Sequence, residues 1–119
     1  MEHFTSEDIS RQLVEHGLDP STADMHYRDG EYIMKPYKDL EDKSQATPVW
    51  TDGKLFELMP KIHGRRPSLC TGKTDPQRYY VEYPYNERTK SDWYTTRLND
   101  DVIAACVEMI AWLLAKKLI

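Results

Sequence analysis

The chain has 119 residues and a formal net charge of −4, from 16 basic and 20 acidic side chains, with only two cysteines. Leu, Ile, Val and Phe together number 23, which is low for a folded domain, and eight Tyr, three Trp and five Met supply the missing apolar volume. These figures fit one small α+β domain spanning residues 1–119 and exclude two independent cores, a disulfide scaffold and a wholly basic nucleic-acid-binding surface.

From the N-terminus, Thr5 or Ser6 can cap a first helix whose apolar face is Ile9, Leu13 and Val14. Gly17 is the stop signal, and Leu18 can pack back on the helix. Asp19-Pro20 starts a short second turn of helix. Residues 25–37 predict a short hairpin around Asp29-Gly30, a favoured two-residue turn. Residues 38–47 hold one sizeable apolar side chain, Leu40, and are expected to form a mobile loop.

An inner short helix follows, capped near Thr51, with Leu55, Phe56, Leu58 and Met59 as its apolar face and Pro60 as its end. Trp50 precedes the cap and can fold back over that face. Pro67 to Thr71 predicts a strand with Leu69 inward. Residues 78–83 alternate, placing Tyr79, Val81 and Tyr83 opposite Tyr80 and Glu82, and residues 92–98 predict a third strand. A final helix is expected after Asn99 as cap, with Leu98 and Ile103 as a staple. Val102, Cys106, Met109, Ile110 and Leu113 belong to its wide apolar face. The expected architecture is a three-stranded antiparallel meander covered by the C-terminal helix, preceded by the N-terminal helix, the hairpin and the inner helix.

The blocks SRQLVEHGLDPSTADM, PVWTDGKLFELMPK, YYVEY and DDVIAACVEMIAWLLAK occur in this order. Together they resemble a widespread group of small uncharacterised proteins of gut anaerobic bacteria, their phages and mobile elements. The likeness covers about half the chain and leaves out residues 38–47 and 61–78. It implies an accessory role and carries no catalytic residue with it.

Candidate chemistry is sparse. Gly72-Lys73-Thr74 lacks the earlier glycine of a phosphate-binding loop, since position 67 is Pro, and is expected to be a plain turn. Cys70 and His63 lack a third orienting group for nucleophilic catalysis. Cys70 is expected to pack as a small apolar residue, and Cys106 to be core. Asp100 and Asp101 suit a helix start, and Glu108 a solvated or partner-facing position. His3, His16 and His26 have no metal-type spacing. No cofactor, metal site or enzymatic activity is therefore expected.

The one conspicuous stretch is 61–78, with a local charge of +4 against −8 for the remaining residues. Lys61, His63, Arg65, Arg66, Lys73 and Arg78 could gather at one end of the sheet beside Tyr79, Tyr80 and Trp93, as in a single-strand-binding surface. The leading expectation is instead a non-catalytic protein-interaction module, binding an unidentified protein or a second copy of itself, because edge strands and aromatics favour interfaces. Nucleic-acid binding through the basic stretch is the alternative. No span approaches the roughly 20 apolar residues a bilayer requires. The first residues lack a basic start and an apolar middle, so a cytoplasmic protein with free thiols and no membrane partner is expected.

Overall fold

The computed structural model describes residues 3–62, 64–83 and 94–119. In chain order the described elements are helix α1 (Glu7–Glu15), a 3-10 turn (Pro20–Thr22), strands β1 (Met25–Arg28) and β2 (Glu31–Ile33), and a second 3-10 turn (Tyr37–Asp39). Strand β3 (Thr47–Val49), helix α2 (Asp52–Leu58), strands β4 (Ser68–Thr71), β5 (Tyr79–Tyr83) and β6 (Tyr94–Thr95), and helix α3 (Val102–Ala115) follow. The strands form two three-stranded antiparallel sheets, ordered β2-β1-β3 and β4-β5-β6. The fold is mixed α+β, with the expected meander as its second sheet and α3 packed on the middle strand β5. Among the described residues no helix is long and apolar enough to cross a membrane.

Ser6, not Thr5, caps α1, its hydroxyl accepting from the Ile9 N–H at 3.3 Å. Thr5 has a different task. The Trp50 N–H donates to Thr5 Oγ1 (3.1 Å), Thr5 Oγ1 lies 2.7 Å from Ser10 Oγ, and the Ser10 hydroxyl donates to the Ser6 carbonyl (2.7 Å). Thr5 therefore donates to Ser10, and every polar atom of this buried chain is satisfied. Residues 3–5 run antiparallel to 50–52, through bonds from Thr5 N–H to Trp50 O and from Asp52 N–H to His3 O, both 2.9 Å. Trp50 is fully buried in the same cluster as Leu55, and its indole N–H donates to Thr22 Oγ1 at 3.0 Å. Asp24 accepts from both the backbone N–H and the hydroxyl of Thr51, fixing the cap of α2 to the end of the first 3-10 turn.

The hairpin turns at Asp29 and Gly30, both in the left-handed region at φ +52° and +81°. That is the paired geometry for which Asp-Gly is favoured, since glycine adopts it at no steric cost. The hairpin is larger than expected: β3 adds to the far side of β1, with Met25 opposite Val49 and Tyr27 opposite Thr47. Pro48 concealed this strand, because proline gives no ladder hydrogen bond, and it is tolerated here because β3 is an edge. Irregular backbone is thus confined to 40–46, where Arg28 Nη2 donates to Asp42 O (2.8 Å) and Lys43 Nζ to Leu40 O (2.9 Å). Met34 lies beyond β2 and is exposed.

In the second sheet the inner face of β5 carries Tyr79, Val81 and Tyr83, of which Val81 and Tyr83 are buried against α3 with Cys106, Met109, Ile110 and Leu113. The Tyr83 hydroxyl donates to the Pro60 carbonyl at 2.8 Å, and burial pushes its pKa up to about 12 against a lesser opposing pull from Arg66. The third strand, predicted over 92–98, ends at Thr95, and residues 92–93 lie outside the described residues. Its described part is Tyr94–Thr95, after which pairing slips by one residue: Glu82 faces Thr95, but Tyr79 faces Asn99. Thr96 absorbs the slip as a bulge, donating its N–H to Val81 O and accepting the Val81 N–H on its own hydroxyl, both at 2.9 Å. Asn99 therefore continues the strand pairing and does not cap the helix. Asp101 is the cap, accepting from Ala104 N–H at 2.8 Å. With the cap two residues later, Leu98 is too early to act as the staple and is exposed.

Candidate functional site

The fold divides the basic stretch. Lys61, Arg65 and Arg66 are exposed ahead of β4, and Lys73 is exposed beyond its end. The four residues of β4 alone set its terminal Cα atoms roughly 10 Å apart. His63 lies outside the described residues. Arg78 is engaged locally: Nη2 donates to Leu98 O at 3.3 Å, and Nε lies 3.4 Å from the Asp100 carboxylate and 3.9 Å from that of Asp75. The expectation of one cationic end is thus corrected to two cationic ends of a single strand. Tyr79 and Tyr80 point to opposite faces of β5, so they do not make one stacking platform, and Trp93 lies outside the described residues.

The other sequence motifs resolve into structural roles. Gly72 opens the turn into β5, where Gly72 N–H donates to Arg78 O (3.0 Å) and Arg78 N–H to Asp75 O (3.1 Å). A Cβ on Gly72 would sit 2.7 Å from the Asp75 carbonyl oxygen, so glycine is required there for a close backbone approach and not for phosphate. Cys106 is core, and burial pushes its thiol up to about 12. Cys70 is not core: it is half-buried on the outer face of the second sheet, opposite Tyr80 and with Sγ 3.9 Å from Glu82 Oε1. Its hydrogen bond and its charge, ahead of the Glu82 charge, raise the Tyr80 phenol.

Neither carboxylate on the α3 face is solvated alone. Asp101 is the helix cap, and Glu108 accepts from Arg97 twice, from the backbone N–H at 2.7 Å and from Nε at 2.8 Å. That pair lines a groove of about 380 Å³ between α1 and α3, together with Ile9, Ile103 and Val107. The histidines are likewise dispersed: His3 Nδ1 meets Asp52 at 3.2 Å, His16 Nδ1 meets Gln12 O at 2.7 Å and His26 Nδ1 meets Lys35 O at 2.9 Å. Among the described residues no three His, Cys, Asp or Glu side chains converge in a way that could hold a metal ion.

What remains is a surface the residue pattern did not single out. Strand β4 is an edge, none of its four residues is buried, and among the described elements it packs extensively on β5 alone. Leu69, expected inward, does lie on the inner-face register opposite Val81, yet it is 43% exposed because no described element covers that side of the edge. It lines an apolar groove of about 370 Å³ between α2 and α3, together with Asp52, Gly53, Phe56, Val102 and Cys106. The signal was present in SLCT, a strand segment with no charge, no proline and no glycine on an edge. Its uncovered position is a tertiary fact that no local pattern encodes.

No protein-family model, curated protein or solved structure matches the chain.

Proposed function

We propose that the chain is a non-catalytic protein-interaction module that docks a partner along β4, in an accessory role of the phage or mobile-element kind its sequence blocks resemble. The observation that carries this reading is the open edge: an uncharged strand with unburied side chains beside an apolar groove. Proteins commonly shield such edges with charge, proline or a covering element, because an open edge pairs readily with another chain. The first sheet uses two of these devices, with Glu31 on β2 and Pro48 on β3, whereas β4 uses none within its own span.

The test is capture from native host lysate, with and without nuclease, using the wild-type chain and the Leu69→Asp variant. A stoichiometric protein partner that survives nuclease and is lost with Leu69→Asp supports the reading. Recovery of nucleic acid by both chains, falling steeply with salt and weakened by joint Arg65→Ala and Arg66→Ala, would overturn it in favour of backbone recognition by the cations.

A further inference from the structure

The charges around β4 go further than the open edge and, resting on that reading, specify the partner. Cations flank the strand on both sides, Arg65 and Arg66 before it and Lys73 after it, and among the described residues none of the three is in an ion pair. The strand between them is uncharged. Glu82 lies behind it on the outer face of β5, opposite Ser68 at the Arg66 end. A strand laid along β4 therefore meets positive charge at its two ends and no charge at its middle.

We infer that β4 accepts, by antiparallel or parallel strand addition, an extended peptide segment with an uncharged centre and acidic residues at both ends. Backbone pairing along Ser68–Thr71 supplies the attachment. Alternate side chains of the added strand fall over Leu69, Phe56 and the open position left by Gly53, which has nothing within 4 Å of where its Cβ would be. Flanking carboxylates then meet Arg65 or Arg66 at one end and Lys73 at the other.

The same charge pattern disfavours a second copy of this chain. Two β4 strands paired antiparallel about Leu69 set Arg65 of each copy across from Lys73 of the other, and like charges directly opposite are destabilising. It also separates a peptide from a nucleic acid, since a polyanion places charge against the uncharged, apolar middle as well as the basic ends.

The test is fluorescence anisotropy with the full chain and labelled synthetic peptides sharing one Val/Thr-alternating core, flanked by Asp and Glu in one probe and by Lys in the other. Labelled oligothymidine is a third probe. The acid-flanked peptide is expected to bind about fivefold to tenfold tighter than the lysine-flanked one at low salt, the size two or three rim ion pairs give, with the gap closing as salt rises. Joint Arg65→Glu, Arg66→Glu and Lys73→Glu substitution should reverse the preference, and Leu69→Asp should weaken both peptides. Saturation should slow amide hydrogen exchange at 68–71.

Equal affinity for the two peptides, no peptide binding, unchanged exchange across β4, tighter binding of oligothymidine, or dimerisation of the free chain at the working concentration would each overturn the inference. If the peptides fail while lysate capture still gives a nuclease-resistant, Leu69-dependent protein, the interaction module stands and only the acidic partner falls. If capture gives only nucleic acid, both fall.

Discussion

The two sheets are of equal strand number but are finished differently. The β2-β1-β3 sheet is fastened into the fold: β3 is buried along its length, and it runs directly into Trp50 and Thr51, which the buried Thr5 chain and Asp24 hold in place. The β4-β5-β6 sheet is anchored on α3 through β5, whose Val81 and Tyr83 are buried, and through Tyr94 of β6, which stacks on Trp112 with ring centroids 4.1 Å apart. Among the described elements none covers β4. In a chain with little aliphatic content both sheets bury apolar side chains, Met25 and Val49 in the first and Val81 and Tyr83 in the second, and the second leaves its β4 edge open. The same division predicts where substitutions will be felt.

The largest effect should come from the fastened half. Trp50→Ala removes a fully buried indole and its bond to Thr22, and should cost about 3–5 kcal/mol, enough to unfold a marginal domain of this size. Urea denaturation followed by far-ultraviolet circular dichroism measures it. A loss below about 1 kcal/mol would show that Trp50 does not fasten the first sheet into the fold.

Two smaller changes sharpen the contrast, one in each half. Thr5→Val leaves the Trp50 N–H and the Ser10 oxygen without their buried partner, and should cost about 1–3 kcal/mol. Gly72→Ala forces a Cβ against the Asp75 carbonyl at the turn joining β4 to β5, and should cost about 1–3 kcal/mol by overpacking. Their hydrogen-exchange signatures should differ. Thr5→Val should raise exchange throughout, because it strikes the fastened core, whereas Gly72→Ala should raise it first in β4 and the adjoining part of β5.

Alkaline pH should act on the anchor of the second sheet. Tyr83 and Cys106 both have folded pKa values pushed up to about 12, from ordinary values of 10.0 and 9.0, chiefly by burial. Above those ordinary values the unfolded chain releases protons that the folded chain retains, so stability is full below pH about 9 and falls as pH rises toward about 12. The urea midpoint of the wild type should drop between about pH 8.5 and about pH 11, and the drop should be shallower in Tyr83→Phe and shallower again when Cys106→Ala is added. Equal slopes in all three proteins would contradict the burial that holds β5 to α3.

Legibility from sequence followed the same boundary between local and tertiary causes. The Asp29-Gly30 turn, the Thr51 cap and the alternation of β5 are written in adjacent residues, and each formed where the pattern put it. The misplacements all had a non-local cause. Asn99 looked like a cap because nothing in LNDD reveals that Tyr79 pairs with it across the sheet, or that Thr96 bulges to allow that pairing. β3 was hidden by Pro48, whose tolerance depends on being an edge. The basic stretch looked like one cluster because its cations are near in sequence, whereas an extended strand between them separates Arg66 from Lys73. The open edge at Leu69 depends on what fails to cover it.

The smallest expected effect on stability is also the most discriminating between the two sheets. Leu69 is the one sizeable apolar side chain of β4, and it already spends nearly half its surface in water. Leu69→Asp should therefore change unfolding free energy by no more than about 0.5–1 kcal/mol, as an exposed substitution does. The equivalent change at Val49, on the buried edge strand of the first sheet, should prevent folding, because it places an unpaired carboxylate where the exposure is zero. A loss at Leu69 of several kcal/mol would mean that β4 is bound into the fold no less firmly than β3, and the surface assigned to binding would then belong to the core.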